Sequence, residues 1–172
     1  MTQSCLVRQV QASDLAQLRA WRNHASIRAF MLTQHEIAPE EHEDWFAQVS
    51  ADHTRRLILI EQAGAPIGYA QFSGVEPLGV SDWGFYARPH APKGSGKMLG
   101  IAALDFAFEA LDLHKVRGQA LALNEASIAM HLKLGFEKEG VFREDVCVKG
   151  EWHDLICFGL LKSTWNETRD LR

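Results

Sequence analysis

The segment Trp83-Gly84-Phe85-Tyr86-Ala87-Arg88-Pro89 runs into Lys93-Gly94-Ser95-Gly96-Lys97-Met98-Leu99 and then a long apolar stretch. That order reads as strand, glycine-rich turn and helix. Two glycines one residue apart let the backbone approach an anion closely. The unpaired N–H groups of the first helical turn then point at it, with the positive end of the helix dipole behind them. Lys93 and Lys97 add mobile positive charge. The turn is therefore read as a pyrophosphate cradle. It is not a nucleoside-triphosphate loop, because Gly96-Lys97 is followed by Met98 and no glycine stands five residues before Gly96. Nor is it a dinucleotide fingerprint, because Leu99 occupies the place of the third glycine.

Around this unit the pattern predicts seven strands and four helices. A first strand covers residues 5–10, and Ser13-Asp14 caps a helix whose Leu15, Leu18 and Trp21 share a face and which ends near Asn23-His24. After an irregular segment holding Arg28, Phe30, Met31 and Leu32, Pro39 opens a second helix. Glu40, Glu41 and Glu43 follow Pro39, and the helix carries His42, Trp45, Phe46 and Val49. Strands over 56–61, 67–75 and 80–87 form an antiparallel meander turned at Gly64-Ala65-Pro66. A helix over 96–111, with Leu99, Ala103, Phe106 and Ala110 on one face, leads to a strand over 116–123 and completes a β-α-β unit. A short helix over 127–134 is closed by Gly135, and a hairpin of strands 139–148 and 152–161 turns at Lys149-Gly150-Glu151.

With 172 residues, 47% of them hydrophobic, the chain suits one domain, placed over residues 5–165 with a polar tail over 166–172. The net charge of −4 is spread without a basic stripe, which argues against nucleic acid as a partner. No run approaches about 18 apolar residues and the N-terminus lacks a basic-then-apolar leader, so a cytoplasmic protein without membrane attachment is expected. Cys5, Cys147 and Cys157 form no C-x-x-C pair, which argues for reduced thiols and against a zinc site.

The strand with Ala87-Arg88-Pro89, the Gly94-Ser95-Gly96 turn, the long helix, and then Asn124 with Leu134-Gly135-Phe136 resemble the GNAT family of N-acetyltransferases over about 55 residues. The resemblance implies an α/β (α+β) fold, a mixed and mostly antiparallel sheet of seven strands with a splayed parallel pair and flanking helices. It implies acetyl-CoA as cosubstrate and no metal. Its pyrophosphate would lie on Lys93, Gly94, Ser95, Gly96 and Lys97, with pantetheine on the backbone of Phe85 and Ala87 and a contact from Asn124. Ala91 departs from the Gln or Arg usual at that place in the turn.

A narrower resemblance covers nearly the whole chain. Trp21-Arg22-Asn23-His24, Glu41-His42 with Trp45-Phe46, Trp83-Gly84-Phe85-Tyr86-Ala87, Leu113-His114-Lys115, Glu139-Gly140-Val141-Phe142-Arg143 and His153-Asp154 look like the PseH subfamily. Those enzymes acetylate the 4-amino group of UDP-4-amino-4,6-dideoxy-N-acetyl-β-L-altrosamine on the path to pseudaminic acid, which serves flagellin glycosylation or a surface polysaccharide. This implies a nucleotide-sugar substrate held by the flat or soft faces of Met31, Trp45 and Tyr86, with Arg22 and His24 toward the phosphates. A homodimer is compatible with such a chain.

Acetyl transfer to an amine needs a neutral nucleophile, a polarised thioester carbonyl and a proton for the leaving thiolate. Many GNAT enzymes take that proton from a Tyr; here the corresponding residue is His131, with solvent as its rival. No base stands out. Asp82 is expected as a solvated carboxylate by strand alternation, and Glu76 lies in the preceding turn. Two other readings remain open. One is a GNAT enzyme for a protein N-terminus or a polyamine, since residues 154–165 also resemble ribosomal-protein acetyltransferases. The other is an acyl-CoA-binding module without catalysis, suggested by His131 and Ala91.

Overall fold

The computed structural model describes residues 5–168. A seven-stranded sheet runs in the order β1-β2-β3-β4-β5-β7-β6. Its strands are β1 (Leu6–Gln9), β2 (Arg55–Gln62), β3 (Ala65–Ser73), β4 (Val80–Ala87), β5 (Lys115–Leu121), β6 (Glu137–Val148) and β7 (Glu151–Leu161). Neighbours pair antiparallel except β4 and β5, which run parallel because α4 crosses between them.

The helices are α1 (Leu15–Asn23), α2 (Ala25–Arg28), α3 (Pro39–Ala51), α4 (Ser95–Asp105), α5 (Glu125–Lys133) and α6 (Lys162–Glu167). They cover both faces of the sheet. On one face, Leu18 and Val49 of α1 and α3 pack with Leu57, Leu59 and Tyr69. On the other, Leu99, Ala103 and Leu104 of α4 pack with Ile58, Ile60, Ala70 and Phe72. Successive residues of β2 thus point into opposite cores, which is why Leu57-Ile58-Leu59-Ile60 is an unbroken apolar run rather than an alternating one.

Four local expectations are corrected. Asp14 does not cap α1 with its side chain. It ends a 3-10 turn (Ala12–Asp14) and its carboxylate accepts from the Gln11 N–H at 2.8 Å and from Arg8 at 2.7 Å. The segment read as irregular contains α2, whose first turn is capped by the His24 ring accepting from the Ser26 N–H. The long helix leaves α geometry at Asp105 and closes with a π turn (Phe106–Ala110). That shift of register turns Ala107 and Phe108 inward and leaves Ala110 exposed. The chain after Trp165 continues α6 to Glu167. No helix among the described residues is long and apolar enough to cross a membrane.

Candidate active site

The parallel ladder between β4 and β5 is short: Val80, Ser81 and Asp82 face Lys115, Val116 and Arg117, and there pairing ends. Both strands continue, β4 to Ala87 and β5 to Leu121, so a wedge opens between them. The Arg88 N–H donates to the Ile67 carbonyl at 2.9 Å, and antiparallel groups alternate in direction. Tyr86 and Gly84 therefore spend their backbone groups on β3, whereas Phe85 and Ala87 turn theirs into the wedge.

At the mouth of the wedge stands the N-terminus of α4. Gly94 precedes it at φ +95°, a left-handed conformation costly for any residue with a Cβ. The Ser95 N–H donates to the Pro92 carbonyl and the Met98 N–H to Gly94, while the N–H groups of Gly96 and Lys97 have no backbone partner among the described residues. The Ser95 hydroxyl is also enclosed and unpartnered. A Cβ at Gly96 would come 2.9 Å from Met130 Cε, so a side chain there would have to displace the tip of Met130 of α5. Open N–H donors, a helix dipole, and Lys93 and Lys97 exposed in solvent suit a diphosphate.

The wedge opens into a cavity of about 820 Å³ lined on the far side by α1, α3 and the segment between them. It brings together Phe85, Ala87, Gly96, Asn124 and His131 at one end with Arg22, Met31, Trp45 and Tyr86 at the other. Lys93, Gly94, Ser95 and Lys97 lie beyond its wall, in the turn. His24 does not reach it: its ring nitrogen is engaged by Ser26. Asn124 faces it but spends its side-chain oxygen on the Ser127 N–H at 3.1 Å, capping α5.

Residues 5–137 match the sequence profile of the acetyltransferase (GNAT) domain. The chain belongs to the GNAT family of N-acetyltransferases. Among its relatives, the SPbeta prophage-derived uncharacterized N-acetyltransferase YokL of Bacillus subtilis is 37% identical over 122 residues, covering 69% of this chain and 68% of that one. Acetyltransferase PseH of Campylobacter jejuni is 25% identical over 146 residues, covering 82% and 89%. The crystal structure of spermidine N-acetyltransferase from Vibrio cholerae in complex with CoA and spermine superposes with a TM-score of 0.86 at 22% identity, over 95% of this chain and 98% of that one. That likeness bears on the fold.

At the centre of the GNAT wedge lies His131, 2% exposed. Its Nδ1 sits 2.8 Å from the Ser127 carbonyl, so Nδ1 carries the proton, and Nε2 accepts from the Trp83 indole N–H at 3.2 Å. The ring stacks on Phe158 at 4.6 Å and meets Phe136 edge-on. Burial pushes its pKa down, partly offset by the Ser127 carbonyl. The expected proton donor thus has both nitrogens engaged and presents no free N–H to the cavity. Gly118 of β5 makes room for the pair, since a Cβ there would lie 2.7 Å from Trp83 Nε1 and closer still to His131 Nε2.

At the other end the charges are unevenly spent. Asp82 and Arg117 form a bidentate pair at 2.9 and 2.8 Å, largely in solvent. Arg22 gives Nη2 to the Thr33 carbonyl at 2.9 Å, but its Nη1 is enclosed without a partner, as is Arg88 Nε. Burial lowers the Arg22 pKa and raises that of Tyr86 beside it. Sequence reasoning passed over Arg88, which sits inside the strand motif, and His42, a polar residue in the otherwise apolar stripe of α3 with Trp45, Phe46 and Val49.

Proposed function

We propose that this enzyme transfers the acetyl group of acetyl-CoA directly, in a ternary complex, to the 4-amino group of a UDP-linked amino-deoxysugar of the pseudaminic acid pathway, UDP-4-amino-4,6-dideoxy-N-acetyl-β-L-altrosamine. The observation that carries the acceptor class is that Arg22 and Arg88 both line one cavity and each keep a guanidinium nitrogen, Nη1 and Nε, enclosed and unpartnered in its wall. Buried donors without acceptors cost about 1–3 kcal/mol each, a deficit that the oxygens of a phosphorylated substrate would repair. Three arginines line the cavity against two carboxylates, and one of those carboxylates, Asp82, is already held by Arg117. That balance disfavours a polycation. Met31, Trp45 and Tyr86 offer apolar faces suited to a base and a deoxysugar. The match to PseH over most of both chains supports the same reading.

The residues fit acetyl-CoA. The thioester supplies the acyl group and a thiolate leaving group. Gly96 and Lys97 offer N–H groups to the diphosphate, with Lys93 and Lys97 adding charge, and the Phe85 and Ala87 backbone is available to the pantetheine amides. We assign His131 the task of holding Trp83 in the wedge wall, with water delivering the proton to the thiolate.

A second reading is a polyamine acceptor, favoured by the likeness in fold to the spermidine enzyme; a protein N-terminus is a third. Thiol release from acetyl-CoA, followed with the nucleotide sugar, spermidine and an N-terminal peptide side by side, separates them. Turnover confined to the nucleotide sugar is expected; turnover confined to spermidine or peptide overturns the acceptor assignment.

A further inference from the structure

Attack by an amine requires its free lone pair, and an alkylamine arrives mostly as the ammonium, so something in the cavity must take a proton. The groups lining the cavity that could do so narrow quickly. Asp82 is bound bidentate by Arg117. Glu41 accepts from the His35 ring at 2.7 Å and from the Ala38 N–H, which lowers its pKa and makes it a poor base. His131 has no free lone pair. His90 is exposed at the outer end of the β4 turn, edge-on to His24. Tyr69 is buried and Tyr86 half-buried, and both phenols have raised pKa values and stay neutral.

His42 differs from all of these. Its side chain is 7% exposed, lines the cavity, and stacks on the Trp45 ring at 5.1 Å and 13°. Neither ring nitrogen has a hydrogen-bond partner among the described residues, yet neither belongs to the enclosed unpartnered atoms, which are Arg22 Nη1, Arg88 Nε and Ser95 Oγ. The nitrogens of a nearly buried ring therefore reach solvent, and the cavity it lines is the route. We propose that His42 is the general base that takes a proton from the acceptor ammonium. This rests on the acetyl-transfer reading but not on the identity of the acceptor.

The step balances without further reagents. A lone pair of the imidazole accepts a proton from R–NH3+, giving imidazolium and R–NH2. The amine nitrogen forms a bond to the thioester carbonyl carbon, the C–S bond breaks, and the nitrogen gives its second proton to water, leaving the neutral amide. The sulfur leaves as thiolate and is protonated by water, while the imidazolium returns its proton to solvent through the open cavity. Arg19 and Arg22 of α1 and Glu41 of α3 are the charged groups that act on His42, and the sheet side of the same cavity contributes the titratable residues Tyr69, Asp82, Tyr86, Arg88 and Arg117. Burial first, then the two arginines, hold the ring in its neutral, proton-accepting form.

The test has two arms. Ring 13C signals of histidine-labelled wild-type protein, with His42 assigned by its loss in His42→Gln, are titrated with pH in the absence of acceptor. A His42 signal that titrates with a midpoint below about 6.5 supports the proposal, and one that does not titrate, or titrates above that value, overturns it whichever acceptor proves right. In the second arm, His42→Ala and His42→Gln are assayed with whichever of the nucleotide sugar, spermidine or peptide the wild type acetylates, after circular dichroism shows them folded. A fall of about 10²–10⁴ in kcat, an unchanged KM for acetyl-CoA, loss of the acidic limb of the profile, and partial rescue of His42→Ala by added imidazole are expected. Wild-type turnover in His42→Gln, or a loss without rescue and with the acidic limb intact, overturns it.

Discussion

Replacing Gly118 by Ala adds one methyl group to β5 and should do disproportionate damage. The new Cβ would stand 2.7 Å from Trp83 Nε1 and 2.8 Å from His131 Cδ2, where ordinary contact begins at 3.4 Å, so both rings must retreat by more than half an ångström. Neither has anywhere to go. His131 is stacked on Phe158 at 4.6 Å, and Trp83 lies between Phe85 at 4.5 Å and Phe136 at 5.2 Å. Overpacking of this kind costs about 1–3 kcal/mol, and a Trp83 N–H pushed off His131 Nε2 in a buried site adds about 1–3 kcal/mol more. Allowing for partial relaxation, the loss should be about 2–4 kcal/mol, a fall in Tm of roughly 4–16 °C for a chain of this size. Urea denaturation followed by tryptophan fluorescence reads it as a lower midpoint at unchanged slope. Combining Gly118→Ala with His131→Ala should cost less than the sum of the two by about 1–2 kcal/mol, because the methyl group then occupies space the ring has left. A Gly118→Ala protein as stable as its parent, or strict additivity in the double variant, would refute the packing argument.

Gly94→Ala tests backbone alone: nothing lies within 4 Å of the added Cβ, but φ is +95°, so about 1 kcal/mol is lost and KM for acetyl-CoA rises in a steady-state assay. Asp82→Asn should shift Tm by no more than about 1–2 °C, since its pair with Arg117 is exposed; a larger drop in calorimetry would make that pair structural. Arg22→Gln should raise KM for a phosphorylated acceptor about 10-fold or more while sparing that for acetyl-CoA, read by initial rates with each substrate varied. For His42 and His131 the pKa is lowered in the folded protein, so the unfolded chain takes up protons first. Their contribution is complete above about 6.5 and is lost as pH falls through the lower folded values, so urea midpoints should drop from neutral to mildly acidic pH, and less steeply in His131→Gln.

Where local chemistry dictates structure, the sequence was readable. Pro39 at the first turn, Gly135 at φ +92° after α5, and the β-α-β order around Gly94-Ser95-Gly96 all lie where residue preferences predict. The π turn at Phe106–Ala110 was not readable, because it is a change of main-chain register with no residue of its own to signal it. His131 illustrates the limit at the site. Its position followed from spacing, but its chemistry depends on Trp83, 48 residues away, and on the absence of a side chain at Gly118. Arg22 was singled out from its motif, whereas Arg88 passed as part of a strand end. His42 did leave a signal, a lone polar position in the apolar stripe of α3. Whether such a residue faces core or cavity is decided by tertiary packing.

The short ladder between β4 and β5 has a mechanical consequence. Three rungs at one end join two half-sheets, β1 to β4 and β5 to β7, so the seam beyond Asp82 has few backbone bonds to protect it from local opening. A ligand threaded into that seam supplies rungs the protein lacks, and its binding energy becomes cohesion between the halves. Amide hydrogen exchange should therefore be fast at the wedge-facing positions Phe85 and Ala87 of β4 and Gln119 and Leu121 of β5 in the free protein and slow together when the cosubstrate is added, while Gly84 and Tyr86, bonded to β3, and Gly118 and Ala120, bonded to β7, stay unchanged.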